Sequence, residues 1–123
     1  MRKPNQNDSG REPKILVDRW GTGALWLVVA SGEHDLSTAP RLESALARIR
    51  EHGTEAILDF SDATFVDSAI VLAIMRHART PGESTVLVAA PGTAPRRTFD
   101  LVHLDSTVPV CDSRDEALRR LGR

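Results

Sequence analysis

AILDFSDATFVDSAIVLAIMRHART (residues 56–80) holds three kinds of segment in one run. Ala56 to Phe60 are apolar except for Asp59. Ser61 to Thr64 are polar, Phe65-Val66 are apolar again, and Asp67-Ser68 precede an apolar block from Ala69 to Met75 that turns polar at Arg76, His77 and Arg79. The order reads as strand, loop and helix, with Ser68 at the helix entrance. Periodicity alone leaves the Ala69–Met75 block open between strand and helix. A capping residue in front of it and about three turns of length before Pro81-Gly82 decide for helix. A hydroxyl at that entrance has two possible jobs. It can close off unpaired backbone N–H groups, or it can be a site of chemistry.

The flanking sequence supplies the rest of a sheet and its covering helices. Lys14 to Trp20 (KILVDRW) and Ala24 to Ala30 (ALWLVVA) read as two strands joined by a turn at Gly21-Thr22-Gly23, a hairpin. The second is apolar on both sides, as a covered central strand would be. Ser31 to Thr38 form a loop ending in capping residues. Ala39, Leu42, Leu46 and Ile49 then recur at helical spacing, and Gly53 stands where a left-handed cap ends a helix. After the central stretch, Ser84 to Ala90 (STVLVAA) read as a strand, and Thr93 caps a short helix running to about Val102 with Pro95 in its first turn. Val108 to Val110 form a brief edge strand. Ser113 and Glu116 make a capping box for a last helix, with Ala117, Leu118 and Leu121 inward. The expected fold is α/β: one mixed sheet of about five strands with about four helices packed on it. Residues 1–13 are polar with two prolines and read as a disordered tail, leaving 14–123 as the domain.

Bulk properties exclude several function classes. A chain of 123 residues is one domain. Sixteen Lys and Arg against seventeen Asp and Glu leave no electrostatic footprint for nucleic acid. No apolar run approaches the roughly 20 residues that span a bilayer, and the N-terminus lacks the apolar core of a signal peptide. A single cysteine, Cys111, rules out an internal disulfide and fits a reducing cytoplasm. No phosphate-binding glycine motif is present, and His34, His52, His77 and His103 lack metal-ligand spacing, so no cofactor or metal is expected. Val66 and Ile70 stand where a nucleophile elbow around Ser68 would need glycines. A hydrolase is disfavoured, and no enzyme is expected.

Gly32-Glu33-His34-Asp35 with Ser37-Thr38-Ala39, then Ile57-Leu58-Asp59-Phe60 and Thr64-Phe65-Val66-Asp67-Ser68, resemble the STAS domain family, and within it bacterial anti-sigma factor antagonists. The Asp-Ser junction after a Phe-Val pair is the specific part of the match, which extends over about residues 14 to 121. The resemblance implies a cytoplasmic binding module. Its unphosphorylated form takes an anti-sigma factor, a serine kinase of the histidine-kinase-like ATPase fold. That kinase switches it off by phosphorylating a serine, and a serine phosphatase resets it. Carried over by position, the acceptor is Ser68, and the partner-binding surface takes in Asp35, Ser37, Thr38, Asp67, Ala69 and Ile70. Two positions depart from the family pattern: Ile70 replaces a glycine, and His34 an apolar residue. A second reading within the family is a subunit that is not phosphorylated, such as an accessory protein of a lipid-type ABC transporter, with the same surface as a static docking site.

Overall fold

A computed structural model describes residues 11–20, 23–53, 55–79, 82 and 84–123. The sheet has five strands in sequence order: β1 (Lys14–Trp20), β2 (Leu25–His34), β3 (Glu55–Val66), β4 (Ser84–Val88) and β5 (Val110–Cys111). β1 runs antiparallel to β2, and the other neighbours are parallel. Helices α1 (Ala39–His52), α2 (Ser68–Ala78) and α3 (Ala94–Leu101) follow β2, β3 and β4, and α4 (Arg114–Arg120) follows β5. This is the expected mixed sheet with four helices. Gly21, Thr22 and Pro81, which the turn and helix-stop readings used, lie outside the described residues, as do residues 1–10 of the predicted tail.

Ala56 to Phe60 are buried throughout because helices cover both faces of β3. Leu58 and Phe60 join Leu42, Leu46 and Ile49 of α1, Ile70 and Ile74 of α2 and Phe99 of α3 on one face. Ile57 joins Val86, Val88 and Ala117 on the other, where α4 packs. Asp59 is the polar exception. Its Oδ2 accepts from Arg114 Nε and Nη2 at 3.0 and 2.8 Å and its Oδ1 from the Ser61 N–H at 2.9 Å, so a buried carboxylate ties the centre of the sheet to the start of α4.

Several expectations need correction. β2 and β3 are longer than read: Ser31 to His34 and Ser61 to Val66 are strand, not loop, and pair with each other through register shifts on either side of Ser31–Gly32. Glu33, Ser61, Asp62 and Thr64 project to solvent while His34, Ala63 and Val66 point inward, so polarity here marks mostly an exposed face of the strands rather than their ends. Gly32 sits in this irregularity at φ +81°, and a Cβ there would lie 2.2 Å from the Glu12 carbonyl oxygen. Gly53 ends α1 in extended backbone (φ −148°, ψ 168°), not as a left-handed cap. What requires glycine is the Trp26 ring, whose Cδ1 would be 2.2 Å from an added Cβ. Arg96 is held in place from three sides. It donates to the Ala89 carbonyl (2.8 Å), Asp112 (2.7 Å) and Asp100 (3.3 Å), pinning α3 to the ends of β4 and β5.

His77 is fully buried on α2. Its Nδ1 lies 3.2 Å from Arg50 Nη1, which can only donate, so Nε2 carries the proton toward Thr85 Oγ1 at 3.0 Å. Burial first, and the Arg50 charge second, push its pKa from 6.5 down to about 4. The unfolded chain therefore takes up a proton near pH 6.5 that the folded chain refuses until about pH 4. Stability is full above that window and falls through it on acidification, by up to about 1.4 kcal/mol per pH unit. Urea unfolding at pH 7, 5.5 and 4.5 should show this slope, and His77→Gln should flatten it. An unchanged slope in the variant would place the acid sensitivity elsewhere.

Candidate functional site

Asp67 leaves β3 in extended conformation (φ −114°, ψ −173°), and its Oδ1 accepts from the Ala69 and Ile70 N–H groups at 2.9 and 3.3 Å. Asp67 is thus the N-cap of α2, and the expectation that Ser68 serves as that cap is corrected. A carboxylate is already seated on the first free amides, so the Ser68 side chain, one residue on, is turned outward. Ser68 is exposed, and its hydroxyl has no hydrogen-bond partner among the described residues.

The other oxygen of Asp67 reaches a different loop. Oδ2 accepts from the Leu36 N–H at 3.2 Å, joining the Asp35–Thr38 turn to the start of α2. Inside that turn Asp35 Oδ1 accepts from the Ser37 hydroxyl (2.6 Å) and the Ser37 N–H (2.9 Å). These bonds, the hydroxyl first, hold the Asp35 carboxyl below its usual range, so it is an anion at neutral pH. Thr38 Oγ1 accepts from the Asp35 N–H at 3.0 Å and lies 3.2 Å from His34 Nδ1, while His34 Nε2 donates to the Ser31 carbonyl at 2.8 Å. Both ring nitrogens of buried His34 are bonded, which is how a polar side chain fits an interior position.

The two loops do meet at one end of the sheet, bringing Asp35, Ser37, Asp67, Ser68 and Ala69 to one surface. Two sequence-selected residues do not join it. Thr38 is 6 % exposed with its hydroxyl committed within the turn, and Ile70 is 0 % exposed, facing the core. An Ile70 side chain directed inward leaves the approach to Ser68 open.

The sequence reading missed the apolar part of this surface. Beside Ser68 runs a shallow groove of about 530 Å³ lined by Leu36, Ala69, Leu72, Met75 and Val102, among others. Leu36 is 74 % exposed and Leu72 47 %. Val102 follows α3, which is docked on the end of β3 by a bond from the Thr98 hydroxyl to the Val66 carbonyl (3.4 Å). One signal was available: with Ile70, Ala73, Ile74 and His77 on the inner side of α2, helical spacing turns Leu72 outward. None of the described residues lining the groove is a cation. Among the described residues no group of His, Cys, Asp or Glu is placed to hold a metal, and no helix is long and apolar enough to cross a membrane.

Residues 21–117 match the family model of the STAS domain. The chain is similar to the crystal structure of an anti-sigma factor antagonist from Mycobacterium paratuberculosis. The two share 27 % identity with a TM-score of 0.82 over 91 % of this chain and 96 % of that one. It shares its fold with the anti-sigma factor antagonist SpoIIAA in unphosphorylated form (19 % identity, TM-score 0.65, 88 % and 97 % covered). The phosphorylated form of the Bacillus protein SpoIIAA gives 20 % identity, a TM-score of 0.63 and coverage of 88 % and 99 %. No curated protein matches the sequence.

Proposed function

We propose, from the premise that this chain belongs to the STAS domain family, that it is an anti-sigma factor antagonist switched by phosphorylation of Ser68. Unphosphorylated, it docks an anti-sigma factor over Ser68, the Asp35–Ser37 turn and the apolar groove, and so frees the sigma factor. The anti-sigma factor is a serine kinase of the histidine-kinase-like ATPase fold. It transfers the γ-phosphoryl group of ATP to Ser68 Oγ, and a serine phosphatase reverses the step. The observation that carries this reading is the position of the hydroxyl: exposed, without a hydrogen-bond partner among the described residues, and at the edge of an apolar groove. The 27 % identical mycobacterial antagonist supports the partner class, and SpoIIAA, of the same fold, exists in both forms.

The energetics favour a switch in binding over a switch in folding. A phosphate adds about −1.5 to −2 charges. The α2 N-terminus returns only about 0.3–1 kcal/mol, because Asp67 already occupies the nearest amides. Repulsion from Asp67 costs on the order of 1–2 kcal/mol in water-like surroundings. These nearly cancel, so the fold tolerates the group. In the test, the chain is incubated with a candidate anti-sigma kinase and ATP, and the phosphate is mapped by mass spectrometry. Label is expected on Ser68 and absent from Ser68→Ala, which should fold within about 0.5 kcal/mol of the parent. Binding without any phosphate transfer would instead make the surface a static docking site.

A further inference from the structure

Among the described residues, β1 is an outer strand with no cover on one side. There it pairs only with β2, in an unbroken register from Lys14↔Ser31 to Trp20↔Leu25, with no bulge or proline within it to blunt its free edge. On the face away from α1, Leu16 is 65 % exposed and Trp20 39 %, because α4 packs farther across, on β3 to β5. An exposed edge of this kind is a template for another strand.

The side chains on that face specify which strand. Lys14, Leu16 and Asp18 alternate outward, with opposite charges two residues either side of the leucine. When a second β1 is laid antiparallel with Leu16 opposite Leu16, Lys14 of each copy faces Asp18 of the other. On the opposite face Ile15 meets Val17 twice. The sequence is therefore complementary to itself in one register and one direction. A slip by two residues in either direction loses the charge pairing, setting Leu16 against Asp18 in one case and Lys14 in the other. The only ion pair of Lys14 among the described residues is a 3.7 Å contact with Glu12 between exposed side chains, which is easily exchanged. Arg41, on α1 near this edge, is drawn back onto its own Pro13 carbonyl at 3.0 Å.

We propose that β1 is a homodimer edge: two copies join about a two-fold axis at Leu16 into one ten-stranded sheet. Because the two β1 strands run in opposite directions, the Ser68 surfaces lie at opposite ends of the combined sheet and both stay free. The assembly does not depend on what Ser68 does. The small seam makes association weak, with a Kd on the order of 10⁻⁵–10⁻⁴ M.

Sedimentation equilibrium of the full chain from about 10 µM to 1 mM, a range bracketing that Kd, tests it. The parent should shift from monomer toward dimer. Lys14→Asp alone, or Asp18→Lys alone, sets like charges opposite each other twice and should weaken association about tenfold or more. The double exchange Lys14→Asp with Asp18→Lys should restore it. Both positions are exposed, and circular dichroism confirms that each variant is folded. A parent that stays monomeric up to 1 mM, or single variants that associate as the parent does, would overturn the proposal and leave the charges as simple protection of a bare edge.

Discussion

Ile70→Gly should lower the free energy of unfolding by about 3–5 kcal/mol. Truncating a fully buried isoleucine to alanine removes about 2–5 kcal/mol through lost burial and the cavity left behind. Glycine within a helix costs up to about 1 kcal/mol more. Ile70 is 0 % exposed and packs with the apolar face that holds α2 on the sheet, so little relaxation is available to offset the loss. Against a typical total of 5–15 kcal/mol, such a variant lies near the edge of folding. Urea denaturation followed by circular dichroism measures it. A loss below about 1 kcal/mol would mean that the helix settles into the space, and that glycine and isoleucine are interchangeable at this core position. Since Ile70 points away from Ser68, any variant that stays folded should still accept phosphate at Ser68.

Phosphorylation of Ser68 should reduce affinity for the anti-sigma factor at least 100-fold, about 2.7 kcal/mol. The groove beside the hydroxyl is apolar and none of its described lining residues is a cation, so a dianion enclosed there keeps its desolvation cost unless the partner supplies positive charge. Ser68→Glu, with one charge and a different shape, should reproduce only part of this, about tenfold. Isothermal titration of the two forms against the same partner gives the ratio, and thermal melts of both should agree within about 1 kcal/mol. Equal affinity for both forms would end the switch. A phosphorylated chain that melts far earlier would move the effect from the interface to the fold.

The apolar run Ala56–Phe60 and the capped block after Asp67 carried most of the architecture, because a strand buried on both faces and an amphipathic helix leave strong local patterns. What failed did so for tertiary reasons. Ser61 to Thr64 read as a loop on polarity alone, whereas β2 extends alongside and only Ser61, Asp62 and Thr64 of that run turn to water. Asp67 and Ser68 are both good capping residues, and only the backbone geometry assigns the cap to the carboxylate. Gly53 and Trp26 are 27 positions apart, so the contact that demands a glycine is invisible locally. At the candidate site, Ser68, Asp67 and Asp35 stand out in the sequence because each belongs to a short motif. The groove was not, since Leu36, Leu72 and Val102 come from three separate elements and converge only in space.

Asp67 gives one oxygen to the helix and the other to a turn 31 residues earlier in the chain. The proposed docking surface is therefore assembled during folding, before any partner arrives. Freezing a mobile side chain at an interface costs about 0.5–1.5 kcal/mol each time, and a preorganised pair of loops avoids most of that entropic loss. On the function proposed above, a short-lived complex can then form through a small footprint and still let go when one phosphate is added.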